Sequence, residues 1–234
     1  MRLAIRRIMS SASQVAVSMD TQVGVKEFVT MMLGAVEGVK NGQRYLSELD
    51  AACGDGDHGT TMLQAMNHLE TVLADDQRRD LKTLVYNLGW TLLSVDGGAT
   101  GPLLGSLFLG MSEALGEKQE LDAAGLAAMF EAGLKSVERH TKARIGDKTM
   151  IDALAPAVAV LRDRVEKGKG IPEILRDAAD AAQRGAASTS GLMARFGKAK
   201  YSAECSLGHQ DAGATSIAMI FQGFHDGYVK LQRT

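Results

Sequence analysis

Three aspartates, Asp50, Asp55 and Asp57, fall within eight residues in the stretch Leu49-Asp-Ala-Ala-Cys-Gly-Asp-Gly-Asp-His-Gly-Thr-Thr61, with no Lys or Arg among them. Acids this close repel one another unless a cation intervenes. Oxygen-only donors suit hard cations, Mg²⁺ first, then Ca²⁺ or Mn²⁺. Gly54, Gly56 and Gly59 let the backbone bend tightly around such an ion. Other readings compete. Gly54 to Gly59 has the G-x-G-x-x-G form of a dinucleotide-binding turn, with Asp75 and Asp76 downstream as ribose-binding acids. That turn needs a preceding strand, whereas residues 28–49 have helical periodicity, and two aspartates inside it would repel a pyrophosphate. An EF-hand starting at Asp55 would need Gly and Glu where the chain has Thr60 and Met66. A solvated acidic turn is the bland reading. The spacing favours a loop that carries a polyphosphate through Mg²⁺: two such ions against three carboxylates leave a net positive site, as ATP or ADP requires.

Further stretches fit the same chemistry. In Asp96-Gly-Gly-Ala-Thr-Gly-Pro102, Thr100 is expected to cap a helix with Pro102 close to its first position. A glycine loop opening a helix offers free N–H groups to an anion. Thr141 to Met150 is a basic loop with Lys142, Arg144 and Lys148, in which Asp147 is expected to cap the following helix. Ser188 to Leu207 is polar and carries Arg195, Lys198 and Lys200, the profile of a lid near phosphates.

Helices must position these loops. Val25, Phe28, Val29, Met32, Val36 and Val39 recur at three- and four-residue steps, and Asn41-Gly42 should end that helix. A short helix then delivers Asp50. Another begins near Gly59–Thr60 with Met62, Met66, Leu69 and Val72 as a core stripe, and Leu81 to Val95 follows with Leu84, Leu88, Leu92 and Val95 inward. Helices are expected over 103–115, 121–140, 149–166 and 172–184. The last runs from Asp211 to Leu231 with Ile217, Ile220, Phe221, Phe224 and Tyr228 inward. No strand is convincing, so the fold class is all-α with about eight helices.

At 234 residues the chain can bury a substantial core, and 23% charged with 45% apolar residues is the profile of a soluble globular protein. A net charge of −2 gives no general nucleic-acid affinity, and no apolar run reaches a membrane span. Cys53 and Cys205 make no disulfide framework; they fit a reducing cytoplasm as small packing residues. Met1 to Met19 holds Arg2, Arg6, Arg7, several serines and, before Asp20, no acid. Arg6 and Arg7 interrupt any signal-like apolar core, so residues 1–23 read as a start-site extension and 24–234 as the domain.

The metal loop, together with Gly97-Gly-Ala-Thr-Gly-Pro102, Gly146-Asp-Lys-Thr-Met150 and Gly208-His-Gln-Asp-Ala-Gly-Ala-Thr-Ser216, resembles the L subunit of dihydroxyacetone kinases, in order and in spacing, over roughly Val25 to Val229. The resemblance implies an antiparallel barrel of about eight helices with nucleotide at one rim. It implies Asp50, Asp55 and Asp57 as catalytic residues holding Mg²⁺. It places His58, Gly59, Thr60, Thr61, Ala99 and Thr100 by the phosphates, and Thr141 and Lys198 in the nucleotide pocket. Met150 would lie near adenine, with Asp211, Ala212 and Gly213 over base and ribose. It also implies phosphoryl transfer from Mg-bound ADP/ATP to dihydroxyacetone or another short ketose held on a separate K subunit. A phosphohistidine carrier, the M subunit, is a further partner, and a homodimer is compatible; no nucleic acid or membrane partner is implied. Alternatives are a non-catalytic nucleotide-dependent regulatory subunit and the nucleotide domain of a fatty acid kinase. The chain departs from the family at Lys198, for arginine; Thr141, for glycine; Ala212, for proline; and Cys205, for arginine.

Overall fold

The computed structural model describes residues 22–74 and 80–233; residues 1–21 of the expected extension, and Asp75 and Asp76, lie outside the described residues. Among the described residues are nine α-helices: α1 (Val25–Asn41), α2 (Gln43–Ala51), α3 (His58–Leu73), α4 (Leu81–Leu93), α5 (Thr100–Leu115), α6 (Ala123–His140), α7 (Ile151–Glu166), α8 (Ile171–Ser188) and α9 (Ala212–Gln232). Two 3₁₀ segments, Thr189–Gly191 and Lys198–Ser206, fill the expected lid region. Extended pairing among the described residues is limited to one antiparallel bridge between Val23 and Leu121.

Eight of the helices close a ring. α3 packs on α1, each helix from α4 to α9 packs on the one before it, and α9 returns to α1, while the short α2 lies against α3 and α9. The apolar stripes face inward: Phe28, Met32, Val36 and Val39 of α1, Met62, Met66 and Leu69 of α3, and Ile217, Phe221, Phe224 and Tyr228 of α9 are all buried. Each such side chain contributes about 1.5–3 kcal/mol by leaving water. Phe130 of α6 reaches Phe221 and Phe224 of α9 at centroid distances of 5.3 and 5.6 Å. Ring closure at α1 and α9 depends on close approach. A Cβ on Gly34 would sit 2.2 Å from the Gly223 carbonyl oxygen, and one on Gly223 would sit 2.3 Å from the Ala35 Cα. Alanine at either position would push the two helices apart.

Neighbouring helices joined by short loops run in opposite directions. In consequence α3, α5, α7 and α9 all begin at one rim, and His58, Thr100, Ile151 and Ala212 from their first turns line a single cavity there. The helix bounds differ locally from the sequence reading. Ala99, not Thr100, is the residue before α5, and Thr100 is already helical. Asp147 does not cap α7; its carboxylate accepts from the Arg144 N–H, while Asp152 accepts from Gly146 and Thr149. Cys205 is exposed and Cys53 only half-buried, so Cys205 is not a packing residue. Among the described residues no helix is long and apolar enough to cross a membrane.

Candidate metal and phosphate site

The rim cavity encloses about 510 Å³, within the usual range for a small-molecule site. A larger trough of about 760 Å³ runs outside, between α1, α8 and α9, but it lacks the carboxylate cluster and the glycine loops. The chemistry therefore sits in the smaller cavity.

On its lip, Asp50, Asp55 and Asp57 each offer a carboxylate oxygen, all within 4.8 Å of one another. Asp50 sits at the end of α2, where its backbone carbonyl accepts from Gly54 N–H at 2.6 Å and turns the chain. Its side chain accepts from the His58 N–H at 3.2 Å, so it also caps the start of α3. Asp55 and Asp57 are exposed, and their carboxylates both accept from the Lys198 ammonium, which reaches over from the 3₁₀ segment. That contact holds the Asp55 carboxyl below its ordinary range and raises Lys198 well above the usual lysine value. The ammonium shows that a cation fits against these carboxylates. An all-oxygen donor set fits Mg²⁺, and the nearby Cys53 sulfur is too soft to compete.

His58 ties the loops together. Its Nε2 lies 3.2 Å from Ser216 Oγ on α9, and its Nδ1 lies 3.4 Å from Thr100 Oγ1 on α5. The Ser216 hydroxyl already donates to the Gly213 carbonyl, so its oxygen is left to accept from Nε2–H. That assigns the neutral tautomer with the Nε2 proton, consistent with burial pushing the imidazole below its ordinary value against Asp50 and Asp57. Gly59 packs against α2, where a Cβ would meet the Gln43 carbonyl at 2.2 Å; Thr60 is exposed. Thr61 is buried behind Gly97, whose φ of 137° and closeness to Thr61 (2.4 Å for an added Cβ) require glycine. The cavity itself is lined by His58, Ala99, Thr100, Thr141, Met150, Lys198, Asp211, Ala212 and Gly213 together with the three aspartates; Gly59, Thr60 and Thr61 do not line it.

The opposite wall is buried. Leu104, Met150, Ile151 and Ile217 supply apolar surface. Asp211 caps α9, its Oδ2 accepting from Ala214 N–H at 2.7 Å. The residue keeps a partial opening onto the cavity, yet burial pushes its carboxyl up to about 7, with the Ala214 N–H and Lys148 opposing and Asp152 and Asp50 reinforcing. Lys148 is 3% exposed, and burial pulls its ammonium below the usual lysine value.

The sequence alone assigns no role to Asp152, Thr189 or Ser216, although Ser216 closes one of the four motifs. Asp152 had a readable signal: Thr149-x-x-Asp152 is a capping-box pattern, and Asp152 Oδ2 accepts from Thr149 N–H at 2.7 Å as that pattern requires. Thr189 and Ser216 take their roles from partners distant in sequence, Asp211 and His58, which no local pattern names.

Four helix N-termini at one cavity make an anion site by their free N–H groups and aligned dipoles. Three carboxylates on its lip would repel a bare anion, so a metal-bridged phosphate is the ligand that satisfies both. An apolar wall beside it accepts a flat organic group.

A family model described as the DAK2 domain matches residues 52–226. The chain is 38% identical over 185 residues to the ADP-binding subunit DhaL of PEP-dependent dihydroxyacetone kinase 1 from Listeria innocua, covering 79% of this chain and 87% of that one. It is 39% identical over 178 residues to the ADP-binding subunit DhaL of PEP-dependent dihydroxyacetone kinase from Escherichia coli K12, covering 76% and 85%. The crystal structure of the dihydroxyacetone kinase from C. freundii in complex with AMP-PNP and Mg²⁺ superposes with a TM-score of 0.69 at 28% identity, covering 85% of this chain. This chain spans 33% of that polypeptide.

Proposed function

The chain belongs to the DAK2-domain family, and on that premise we propose that it is the nucleotide-binding, phosphoryl-transferring subunit of a kinase for dihydroxyacetone or another short ketose. Residues 24–234 form the nucleotide domain. Asp50, Asp55 and Asp57 hold Mg²⁺, which neutralises phosphate charge and orients the transferred group. The first turns of α3 and α5, with His58, Ala99 and Thr100, face the phosphates. Met150, Ile151 and the Asp211–Gly213 loop take the base and ribose, and Lys198 closes over the phosphates from the lid.

The observation that carries this reading is the sharing of one cavity by four helix N-termini, three clustered carboxylates and an apolar wall. Phosphoryl transfer asks mainly for positioning and charge neutralisation, and in-line transfer needs near-contact of the reacting atoms. The carboxylates sit on the exposed lip, so the phosphoryl group faces outward, toward an acceptor presented by another subunit. The relatives named above are described as ADP-binding and PEP-dependent. By analogy, a phosphocarrier M subunit recharges a resident ADP here, and the ketose arrives on a K subunit in the cytoplasm.

The test is reconstitution. The purified chain with Mg²⁺, ADP, a phosphorylated carrier and dihydroxyacetone should give no dihydroxyacetone phosphate until a dihydroxyacetone-binding subunit is added. Turnover by the chain and carrier alone, or docking of all partners with no turnover, overturns the reading.

A further inference from the structure

We propose that Lys148 is a positioning residue that holds the buried wall of the cavity in the form a nucleoside needs; this rests on the nucleotide reading above. Lys148 is, among the described residues, the one non-glycine position with a positive φ, 60°. A side chain in that left-handed region is disfavoured unless surrounding contacts compensate. Here they do. The buried ammonium donates to the backbone carbonyls of Thr189, at 2.6 Å, and His209. Thr189 is fully buried, and its Oγ1 accepts from the Asp211 N–H at 2.8 Å while donating to the Ala186 carbonyl. One side chain therefore joins three segments distant in sequence: the loop before α7, the end of α8 and the turn before α9.

The loop that presents Lys148 is itself fixed. Asp152 accepts from Gly146 and Thr149 N–H groups at 2.6 and 2.7 Å, on either side of Lys148. Thr149, Met150 and Ile151 on one flank and Gln210 to Gly213 on the other line the cavity, and Lys148, itself part of that lining, ties the two flanks together. A buried ammonium is costly unless paired and hydrogen-bonded. A methionine would fill the same space without that cost, but could not bond two carbonyls. The lip carboxylates make none of these hydrogen bonds, so metal binding on the lip does not run through them.

The experiment measures, by calorimetry, the affinity of the full chain for Mg–ADP and for Mg–pyrophosphate, which lacks the nucleoside. Lys148→Met should weaken Mg–ADP about tenfold, the loss of charge-assisted hydrogen bonds within the wall. Mg–pyrophosphate should change by less than about twofold, since the lip is untouched. Thr189→Val, which removes the acceptor of the Asp211 N–H, should show the same split, and Thr189→Ser should restore wild-type values. A general structural defect would weaken both ligands together, and that outcome overturns the proposal, as does unchanged Mg–ADP affinity. If Lys148→Met does not fold, the Thr189 pair decides. Failure of the unaltered chain to bind Mg–ADP overturns the nucleotide reading itself, a result separate from any behaviour of the variants.

Discussion

On the buried wall of the cavity, Lys148, Asp152, Thr189 and Asp211 direct their hydrogen bonds at backbone groups of their own chain. On the lip of the same cavity, Asp55 and Asp57 share one ammonium borrowed from the 3₁₀ segment, and all three side chains are about half exposed. The wall is complete before any ligand arrives; the lip is balanced by a side chain that a better cation can displace. Pre-organised polar groups bind without reorganisation, whereas clustered like charges bind only with a counter-ion. Shape selection therefore belongs to the wall and charge selection to the lip.

Removing charge from the lip should break this division most visibly. Asp55→Asn and Asp57→Asn each delete a charged ligand at nearly constant volume, and Mg–ADP affinity should fall by about 100-fold or more, beyond what loss of a supporting residue does. In the wild-type chain, Mg–ADP at about 100 times its dissociation constant adds about 2.7 kcal/mol, a melting rise of roughly 5–11 °C. The variants should lose most of that rise at the same concentration while melting near wild type in chelator, because both side chains are exposed. Calorimetry giving wild-type Mg–ADP affinity in both variants would remove the metal from the lip.

The lip was far more legible in the sequence than the wall. Asp50, Asp55 and Asp57 lie within eight residues, so their spacing alone brings the three carboxylates together, and the apolar stripes of α1, α3 and α9 follow a fixed period. Lys148 reaches Thr189 and His209 across 41 and 61 residues, and His58 reaches Ser216 across 158. No local pattern encodes such contacts; they exist only because the ring brings alternate helix starts to one rim. The ring's closure was equally silent, since it depends on Gly34 and Gly223 meeting across most of the chain. Asp147 and Asp152 show a subtler loss: both are plausible caps by type, and the Thr149-x-x-Asp152 pattern that decides between them begins at the expected first residue of the helix.

The two regions also carry opposite pH signatures. Burial raises the Asp211 carboxyl to about 7, so the folded wall holds a proton that the unfolded chain releases near pH 4. Stability from this group is present below about pH 4 and is lost as pH rises toward 7. Asp55 is lowered by Lys198, so its contribution is present above about pH 4 and is lost as pH falls below it. Metal-free wild type should lose of the order of 1 kcal/mol relative to Asp211→Asn between pH 5 and 7, roughly 2–4 °C of relative melting temperature. Lys148, Asp152 and Asp50 are the charged groups facing Asp211. Parallel wild-type and Asp211→Asn profiles would mean that Asp211 is ionised throughout.

The smallest effect tests whether the lip is balanced by a displaceable cation. The Lys198 ammonium occupies the Asp55 and Asp57 oxygens, so in the proposed site it must be released before the metal alone can bind. Lys198→Met removes the competitor, and the affinity for Mg²⁺ without nucleotide should rise roughly two- to fivefold, the range expected of an exposed ion pair. Lys198→Arg keeps the charge and should stay near wild type. The gain should shrink at high salt, where exposed charges are screened over a few ångströms. With ADP present the sign should reverse, because the phosphates then offer the ammonium a new partner and its removal loses that contact. Mg²⁺ affinity unchanged in Lys198→Met at low salt would mean that the lid rests on the lip without guarding it, and the contrast with the self-contained wall would lose its energetic basis.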